Sequence, residues 1–211
     1  MFKVTVFARY LRAALTHAAQ KDVRYYLNGV LLDTAAGKIV STDGHRMLII
    51  TDSCLRAEYG RSVIIPRDVI AAALKLAGKS CDFVTVTESA IQLDSGASVA
   101  YAPIDARYPD WRQVMPRGER IGDQAPATYA PEYIADAIAA VNIARGRAPS
   151  KWAGKVAVYQ RGNDAAIVSD GENGVIALVM PQRTNVARDD IAHAMDDAHA
   201  VAPMPAQDAA A

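Results

Sequence analysis

Asp43 and His45 stand two residues apart in a Thr-Asp-Gly-His-Arg run, where a carboxylate and an imidazole could act as acid and base. Ser41 and Thr42 precede them as conceivable nucleophiles. Such catalysis also needs a group that orients the base and a site that stabilises an oxyanion, and the sequence supplies neither. An Asp-Gly turn between two apolar runs explains Asp43 and Gly44 without catalysis. We therefore predict no catalytic site.

Metal binding has little support in the sequence. The four histidines, at positions 17, 45, 193 and 199, lack zinc-type spacing, and so do Cys54 and Cys81. The run from Asp170 to Gly174 superficially resembles a calcium loop but lacks its ligand register. The sequence also lacks a glycine-rich phosphate loop. We predict no metal, no cofactor, and a reduced, cytoplasmic setting for the two thiols.

The composition is that of a globular chain rather than a polycation or a membrane protein. Lys plus Arg and Asp plus Glu each number 23 among 211 residues, and 51% of the residues are hydrophobic. No apolar run reaches the length of a membrane span, and the first residues lack the apolar stretch of a signal peptide. We expect no membrane partner, although zero net charge still permits a local basic surface.

The run around Asp43 belongs to a predicted meander of three strands. We expect these strands at 24–32, 38–42 and 47–51, with a type I′ turn at Asp43 and Gly44. A strand at 2–6 and a helix over about 7–20 precede the meander. Alternation along the first meander strand would turn either Tyr25 or Tyr26 into the core.

The same order of elements recurs twice more. The second unit is predicted to contain a strand, a helix that Gly78 ends and three further strands, at 62–65, 66–77, 83–87, 90–93 and 98–103. The third unit begins near residue 127, with a helix and three strands predicted at 131–144, 155–160, 165–169 and 174–180. Helix starts roughly 60 residues apart indicate duplicated strand–helix–three-strand units.

Ordered motifs in these units resemble the bacterial DNA polymerase III β subunit, the sliding-clamp family. The motifs lie at Tyr25 to Gly29, Thr42 to Arg46, Val63 to Arg67, and Arg107 to Trp111 with Val114 to Pro116. Within the third unit, Lys151 to Gly154 resemble the start of the family's last domain, and Val179 to Arg183 resemble the family's C-terminus. The resemblance implies an α+β, DNA-clamp fold with antiparallel sheets and helices on one face.

The resemblance also implies how the chain is divided. Residues 1–116 would form one complete clamp domain of two half-units, and 117–183 a third half-unit. Residues 184–211 hold five Asp and one Arg among many Ala, which predicts a mostly disordered tail. A bacterial clamp ring contains twelve such units, so four chains of three could supply one ring. Two chains could complete a domain from their third units, which implies a homo-oligomer.

In sliding clamps, helices line the hole through which duplex DNA passes, and cations on these helices contact phosphates without reading sequence. The predicted helix over 7–20 contains no acidic residue, which suits either an anion-facing surface or an ordinary solvated helix face. The resemblance implies as DNA-binding candidates Arg9, Arg12, Lys21, Arg24, Tyr25, Arg67, Lys75, Lys79, Arg145 and Arg147.

The family also carries a hydrophobic groove that captures linear peptides of DNA polymerases and the clamp loader. Apolar walls suit the anchoring of one or two side chains, and methionine adapts to several partners. The alternative interpretation of these positions is an ordinary domain junction. The residues that match the groove are Leu27, Thr42, Gly44, His45, Arg46, Met47, Pro109, Val114, Leu178, Met180, Pro181 and Arg183.

Two functions follow from the resemblance. The first is a processivity factor that binds double-stranded DNA non-specifically and tethers a DNA polymerase during replication. The alternative is a clamp-derived adaptor or inhibitor, of a kind found on mobile elements, that binds clamp partners or a host clamp without encircling DNA. The short chain and the acidic tail favour the alternative.

Overall fold

The computed structural model describes residues 2–56, 60–116, 127–147, 155–160, 164–172 and 174–182. The predicted tail at 184–211, the groove residue Arg183 and the motif at 151–154 lie outside the described residues.

The first two units contain the predicted order of elements. The first consists of β1 (Lys3–Phe7), α1 (Ala8–Leu15), β2 (Gly29–Asp33), β3 (Lys38–Thr42) and β4 (Arg46–Thr51). The second consists of β5 (Ser62–Pro66), α2 (Arg67–Ala77), β6 (Phe83–Thr87), β7 (Ala90–Leu93) and β8 (Ser98–Ala100). As predicted, α2 ends at Gly78, whose φ of 73° suits glycine at a helix C-terminus.

The third unit consists of α3 (Pro131–Ala144), β9 (Ala157–Tyr159), β10 (Ala166–Ser169) and β11 (Val175–Val179). The helix has the predicted bounds, while β9 is shorter than the predicted 155–160. The segment before the helix forms a single bridge, between Thr128 and Gln182.

Antiparallel pairing joins these strands into two sheets, which confirms the predicted α+β class. One sheet has the order β1-β6-β7-β8, and the other has the order β5-β2-β3-β4-β11-β10-β9. The third unit enters the longer sheet through β11, which pairs with β4 over five residues from Arg46↔Val179 to Ile50↔Val175. This contact brings the C-terminal strand beside the turn between β3 and β4.

The longer sheet is buried on both faces. Helices α1, α2 and α3 belong to a large apolar core on one face, together with Leu32, Ile39 and Leu48 of the sheet. On the opposite face, Leu31 and Val40 lie in a smaller cluster that the chain after β8 covers. Central strands that are buried on both faces need continuous apolar runs, which explains the sequences of β2 and β4.

Helix α1 ends at Leu15, five residues before the predicted end. The Thr16 hydroxyl donates to the Ala13 carbonyl, and the Thr16 and His17 amides bond three residues back rather than four. Arg67 then donates to the carbonyls of Leu15 and Ala18. These bonds satisfy the last carbonyls of the helix and end it early.

The prediction of a strand from residue 24 was wrong, because Tyr25–Asn28 forms a 3₁₀ helix and β2 begins at Gly29. The Asn28 side chain accepts a hydrogen bond from the Asp22 amide at 2.9 Å and donates to the Asp22 carbonyl at 2.8 Å, which folds the chain back. Strand alternation therefore does not apply to the two tyrosines. Tyr25 is exposed and Tyr26 is half-buried.

The predicted type I′ turn was also wrong. Gly44 has a φ of 91°, but Asp43 does not share a positive φ. Instead, the Asp43 carboxylate accepts hydrogen bonds from the amides of His45, at 2.9 Å, and Arg46, at 3.0 Å. Asp43 therefore shapes the turn through its side chain rather than through a left-handed backbone.

Candidate functional site

A small apolar groove opens beside the turn between β3 and β4. Its volume is about 210 Å³, enough for one or two side chains but below the usual range for whole small-molecule ligands. Leu27, Met47 and Leu178 are buried in its floor, and Val114 and Met180 are exposed at its rim. Nine predicted groove residues lie here, namely Leu27, Thr42, Gly44, Arg46, Met47, Pro109, Val114, Leu178 and Met180.

Two further residues line this groove that were not predicted for it. Tyr26 was not among the predicted site residues, and Arg24 was predicted to bind DNA. Tyr26 and Leu27 belong to the 3₁₀ helix, and Arg24 immediately precedes it. The signal in the sequence was their position next to Leu27, since Tyr26 directly precedes it and Arg24 lies three residues before it.

Arg24 forms one polar edge of the groove. Its guanidinium bonds both carboxylate oxygens of Asp22, at 3.0 and 2.7 Å, and donates to the Asp43 carbonyl at 3.0 Å. The hydrogen bonds from Arg24 lower the pKa of Asp22 to about 2. A Cβ atom on Gly44 would lie 2.7 Å from the Arg24 Nη1 atom, which can move aside, and the φ of 91° at Gly44 is what favours glycine here.

Tyr108 fixes the segment after β8 against the groove. Its ring is buried, and its hydroxyl accepts a hydrogen bond from the Thr42 amide at 3.1 Å. Burial raises the pKa of Tyr108 and keeps the hydroxyl neutral. This contact positions the neighbouring residue Pro109 beside Thr42, a role of Tyr108 that was not predicted from the sequence.

Two predicted groove residues, His45 and Pro181, are not among the residues that line the groove. His45 stacks on Tyr133 of α3, with ring centroids 6.0 Å apart, and is not among the residues that line the groove. Pro181 follows Met180 but also lies outside the lining. Arg46 lines the groove and pairs with both Asp43 and Asp136, so it also connects the turn to α3.

Three of the predicted DNA-binding arginines bond the C-terminal ends of neighbouring helices. Arg9 donates to the Ala144 carbonyl of α3 at 3.0 Å, Arg12 to the Gly78 carbonyl after α2, and Arg67 to the Leu15 carbonyl of α1. Cations are favourable at these negative helix ends. The three side chains are half-buried, so each has a structural role in addition to any contact with phosphate.

Arg145 and Arg147 pair with acidic residues of the third unit. Arg145 donates to both oxygens of Asp170, at 2.8 and 3.0 Å, and Arg147 approaches the same carboxylate at 3.1 Å. Burial alone would raise the pKa of Asp170, but hydrogen bonds from Arg145 and from the Glu172 amide outweigh it and the pKa is lowered. These pairs reduce the positive charge that the third unit presents.

The other DNA-binding candidates are exposed. Besides Arg24, they are Lys21, Tyr25, Lys75 and Lys79. Helix α3 adds no cation, because its exposed charged residues are Glu132 and Asp136 and its sequence contains no Lys or Arg. Among the predicted DNA-binding residues, the exposed ones therefore lie in the first two units.

Metal-binding clusters and membrane-spanning helices are absent from the described residues. No group of three or more His, Cys, Asp or Glu side chains there is placed to hold a metal ion. Among the same residues, no helix has the length and apolar character needed to cross a membrane.

Comparison with known proteins identifies the family. Residues 2–110, about half of the chain, match the family profile of the DNA polymerase III beta subunit, central domain. The chain belongs to this family. The match spans both units that contribute β1 to β8.

Curated relatives agree with this match. The chain is 34% identical over 111 residues to the beta sliding clamp of Proteus mirabilis, covering 47% of this chain and 29% of that protein. It is 31% identical over 114 residues to the beta sliding clamp of Escherichia coli K12, covering 52% and 31%. The chain thus matches about a third of the length of these relatives.

Solved structures show that the fold likeness extends into the third unit. The sliding clamp of Pseudomonas aeruginosa with ligand has a TM-score of 0.67 at 19% identity, covering 86% of this chain and 66% of that one. The sliding clamp of Bacillus subtilis has a TM-score of 0.66 at 14% identity, covering 87% and 64%. At these identities the likeness establishes the fold alone.

Proposed function

We propose that this protein is a non-catalytic, sliding-clamp-like processivity factor that docks a DNA polymerase peptide in the groove beside the turn between β3 and β4. The observation that carries the proposal is the groove itself. Four separate chain segments converge on it, and nine residues that the family resemblance selected line it. An apolar floor with a polar edge suits a linear peptide that anchors one or two side chains.

DNA binding is the second part of the proposal. The exposed cations Lys75 and Lys79, with Lys21 and the half-buried arginines of α1 and α2, would contact phosphates of double-stranded DNA without sequence preference. These cations are not among the residues that line the groove, so a protein that binds both DNA and the peptide would tether the polymerase to its template and raise its effective concentration there. The clamp loader would use the same groove.

A second candidate function has its own support. An adaptor that captures clamp-binding peptides without encircling DNA would need the groove but not a cationic lining. The exposed carboxylates of α3, Glu132 and Asp136, and the pairing of Arg145 with Asp170 favour this candidate. Both candidates predict peptide binding, and they differ in DNA binding.

Peptide binding is tested by Met47→Asp, which places a carboxylate in the apolar floor. We expect the affinity for a fluorescent peptide from the tail of a bacterial DNA polymerase to fall by about a hundredfold or more, since a buried unpaired charge is highly unfavourable. Fluorescence anisotropy measures the affinity.

Because Met47 is buried, Met180→Asp at the exposed rim provides a variant with less risk to folding. The matched control is Leu76→Asp, an exposed apolar position on α2 outside the groove. Circular dichroism checks that each variant is folded. Unchanged peptide affinity in folded Met47→Asp and Met180→Asp would show that the groove is not the docking site.

A further inference from the structure

The first two units are joined by a reciprocal exchange of strands. The strand before each helix pairs with the strand after the helix of the other unit, which gives the pairs β1·β6 and β5·β2. Both pairs share one register. The residue just before the helix faces the first residue of the partner strand, Phe7 opposite Phe83 and Pro66 opposite Gly29.

The third unit is built like the second. In the second unit, the Ile104 amide, after β8, donates at 2.9 Å to the Ile64 carbonyl, three residues before α2. In the third unit, the Gln182 amide, after β11, donates at 2.8 Å to the Thr128 carbonyl, three residues before α3. The segment 127–130 therefore occupies the place that β5 has in the second unit.

The elements that would receive a partner lie at an edge. β9, which follows α3 as β6 follows α2, is the outermost strand of the longer sheet. Its Val158 and Tyr159 are 45% and 38% exposed. Neither 127–130 nor 157–160 contains a charged residue. An apolar, uncharged strand edge favours pairing with another strand.

We propose that two copies of this chain associate through their third units and form one composite domain. Segment 127–130 of each copy pairs antiparallel with β9 of the other, as β5 pairs with β2 and β1 with β6. The shared register places Ala130 opposite Ala157 of the second copy and Tyr129 opposite Val158. The arrangement has twofold symmetry, so both copies contribute the same surface and association stops at the dimer.

The proposal concerns a surface apart from the groove and the DNA-binding candidates of the first two units. Failure of peptide or DNA binding would therefore leave it intact. The first two units pair with each other through two strand contacts, and the third unit offers the same two elements to a second copy.

The mass of the full chain in solution is the first test. Light scattering after gel filtration, from low to high micromolar concentration, is expected to give twice the chain mass of 22.6 kDa. A monomer across this range would overturn the proposal. A dimer would support it only if it is lost in Val158→Lys and kept in Leu76→Lys, a matched exposed apolar position on α2. A dimer that survives Val158→Lys would place the interface elsewhere and also overturn it.

Cross-linking tests the register. In a background with Cys54→Ser and Cys81→Ser, a chain with Tyr129→Cys is mixed with a differently tagged chain with Val158→Cys. Oxidation is expected to give a disulfide between the two chains, since paired residues on adjacent strands bring their Cβ atoms close enough.

The matched control replaces Val158→Cys by Tyr159→Cys, which points to the opposite face of the strand and should cross-link poorly. Equal yields for the two positions, or a better yield for Tyr159→Cys, would overturn the register. A chain with both Tyr129→Cys and Val158→Cys that cross-links only within itself would overturn the composite domain.

Discussion

His17 shows at the scale of one residue how the fold restricts protonation. Its ring is buried, and its Nδ1 atom lies 2.7 Å from the Thr16 hydroxyl. Its Nε2 atom lacks a hydrogen-bond partner among the described residues. Burial, assisted by the charge of Arg46, lowers the pKa of His17 to about 4, although Asp43 and Asp136 act in the opposite direction. The imidazole is therefore neutral in the folded protein at neutral pH.

This pKa makes stability depend on pH. The folded pKa lies below the unfolded value, so between about pH 6.5 and pH 4 the unfolded chain binds a proton at His17 that the folded chain does not. We expect His17 to contribute about 2 kcal/mol to a loss of unfolding free energy from about pH 7 to about pH 5. Urea unfolding at the two pH values measures the loss.

The variant His17→Asn should reduce the difference in unfolding free energy between about pH 7 and about pH 5 by about 2 kcal/mol, because the asparagine side chain does not titrate between these pH values. His45→Asn, which makes the same replacement at an exposed histidine, is the matched control. If His17→Asn has the same pH dependence as the unchanged protein, buried His17 is not its source.

At the scale of elements, polar contacts at helix ends determine how the units fit together. Arginines of α1 and α2 bond the carbonyls at the ends of neighbouring helices, as Arg9 does at Ala144. Arg145, directly after α3, bonds Asp170 in the turn between β10 and β11. The cations that the family resemblance selected for DNA thus also stabilise the packing of the helices and strands.

The Arg145–Asp170 contact supports a prediction about α3. The Asp170 side chain is only 1% exposed. It accepts hydrogen bonds from Arg145 and forms an ion pair with Arg147. We expect Asp170→Asn to lower the unfolding free energy by roughly 2 to 3 kcal/mol, because it removes the charge of a buried carboxylate that two partly buried guanidinium groups contact. Denaturant unfolding measures this change.

Glu172→Gln is the matched control, since Glu172 also faces Arg145 and Arg147 but its side chain is 63% exposed. Glu172→Gln should lower the unfolding free energy by less than about 1 kcal/mol, as for other exposed ion pairs. Equal losses for the two variants would mean that burial of Asp170 does not decide the strength of the contact.

At the scale of the whole molecule, a continuous sheet links the third unit to the first. Pairing of β4 with β11 places Leu178 and Met180 beside the turn between β3 and β4 and so completes the groove. Cations of the first two units and carboxylates of α3 occupy different parts of the same chain. The two proposed functions differ in whether a protein with this charge distribution binds DNA.

A retention experiment distinguishes them. If the assembled protein encircles DNA, it should remain on nicked circular DNA during gel filtration and be lost after linearisation, because a ring slides off free ends. Retention should fall as salt rises, since each phosphate contact releases counterions. Equal retention on circular and linear DNA, or none on either, would favour the adaptor.

Charge variants sharpen the same experiment. Lys75→Glu combined with Lys79→Glu should weaken retention on circular DNA severalfold, because both are exposed candidates for phosphate contact. Lys3→Glu, an exposed lysine outside the predicted set, is the matched control and should have a smaller effect. If the two lysine variants retain DNA as well as Lys3→Glu does, these positions do not face DNA.

The sequence by itself determined the repeated order of elements, the α+β class and the family. Apolar periodicity, Pro131 at the start of α3 and Gly78 after α2 are local signals, and local backbone preferences are enough to read them. Most of the groove could be chosen from the motifs because the family resemblance assigns those positions directly.

Only the tertiary structure decided where side chains with several possible partners lie. Arg9 and Arg67 bond distant helix ends, and Asn28 holds Asp22 so that the expected strand becomes a 3₁₀ helix. The pairing of β4 with β11 joins residues about 130 positions apart. Such contacts depend on which elements pack together, and the pattern of a single segment carries no information about its distant partner.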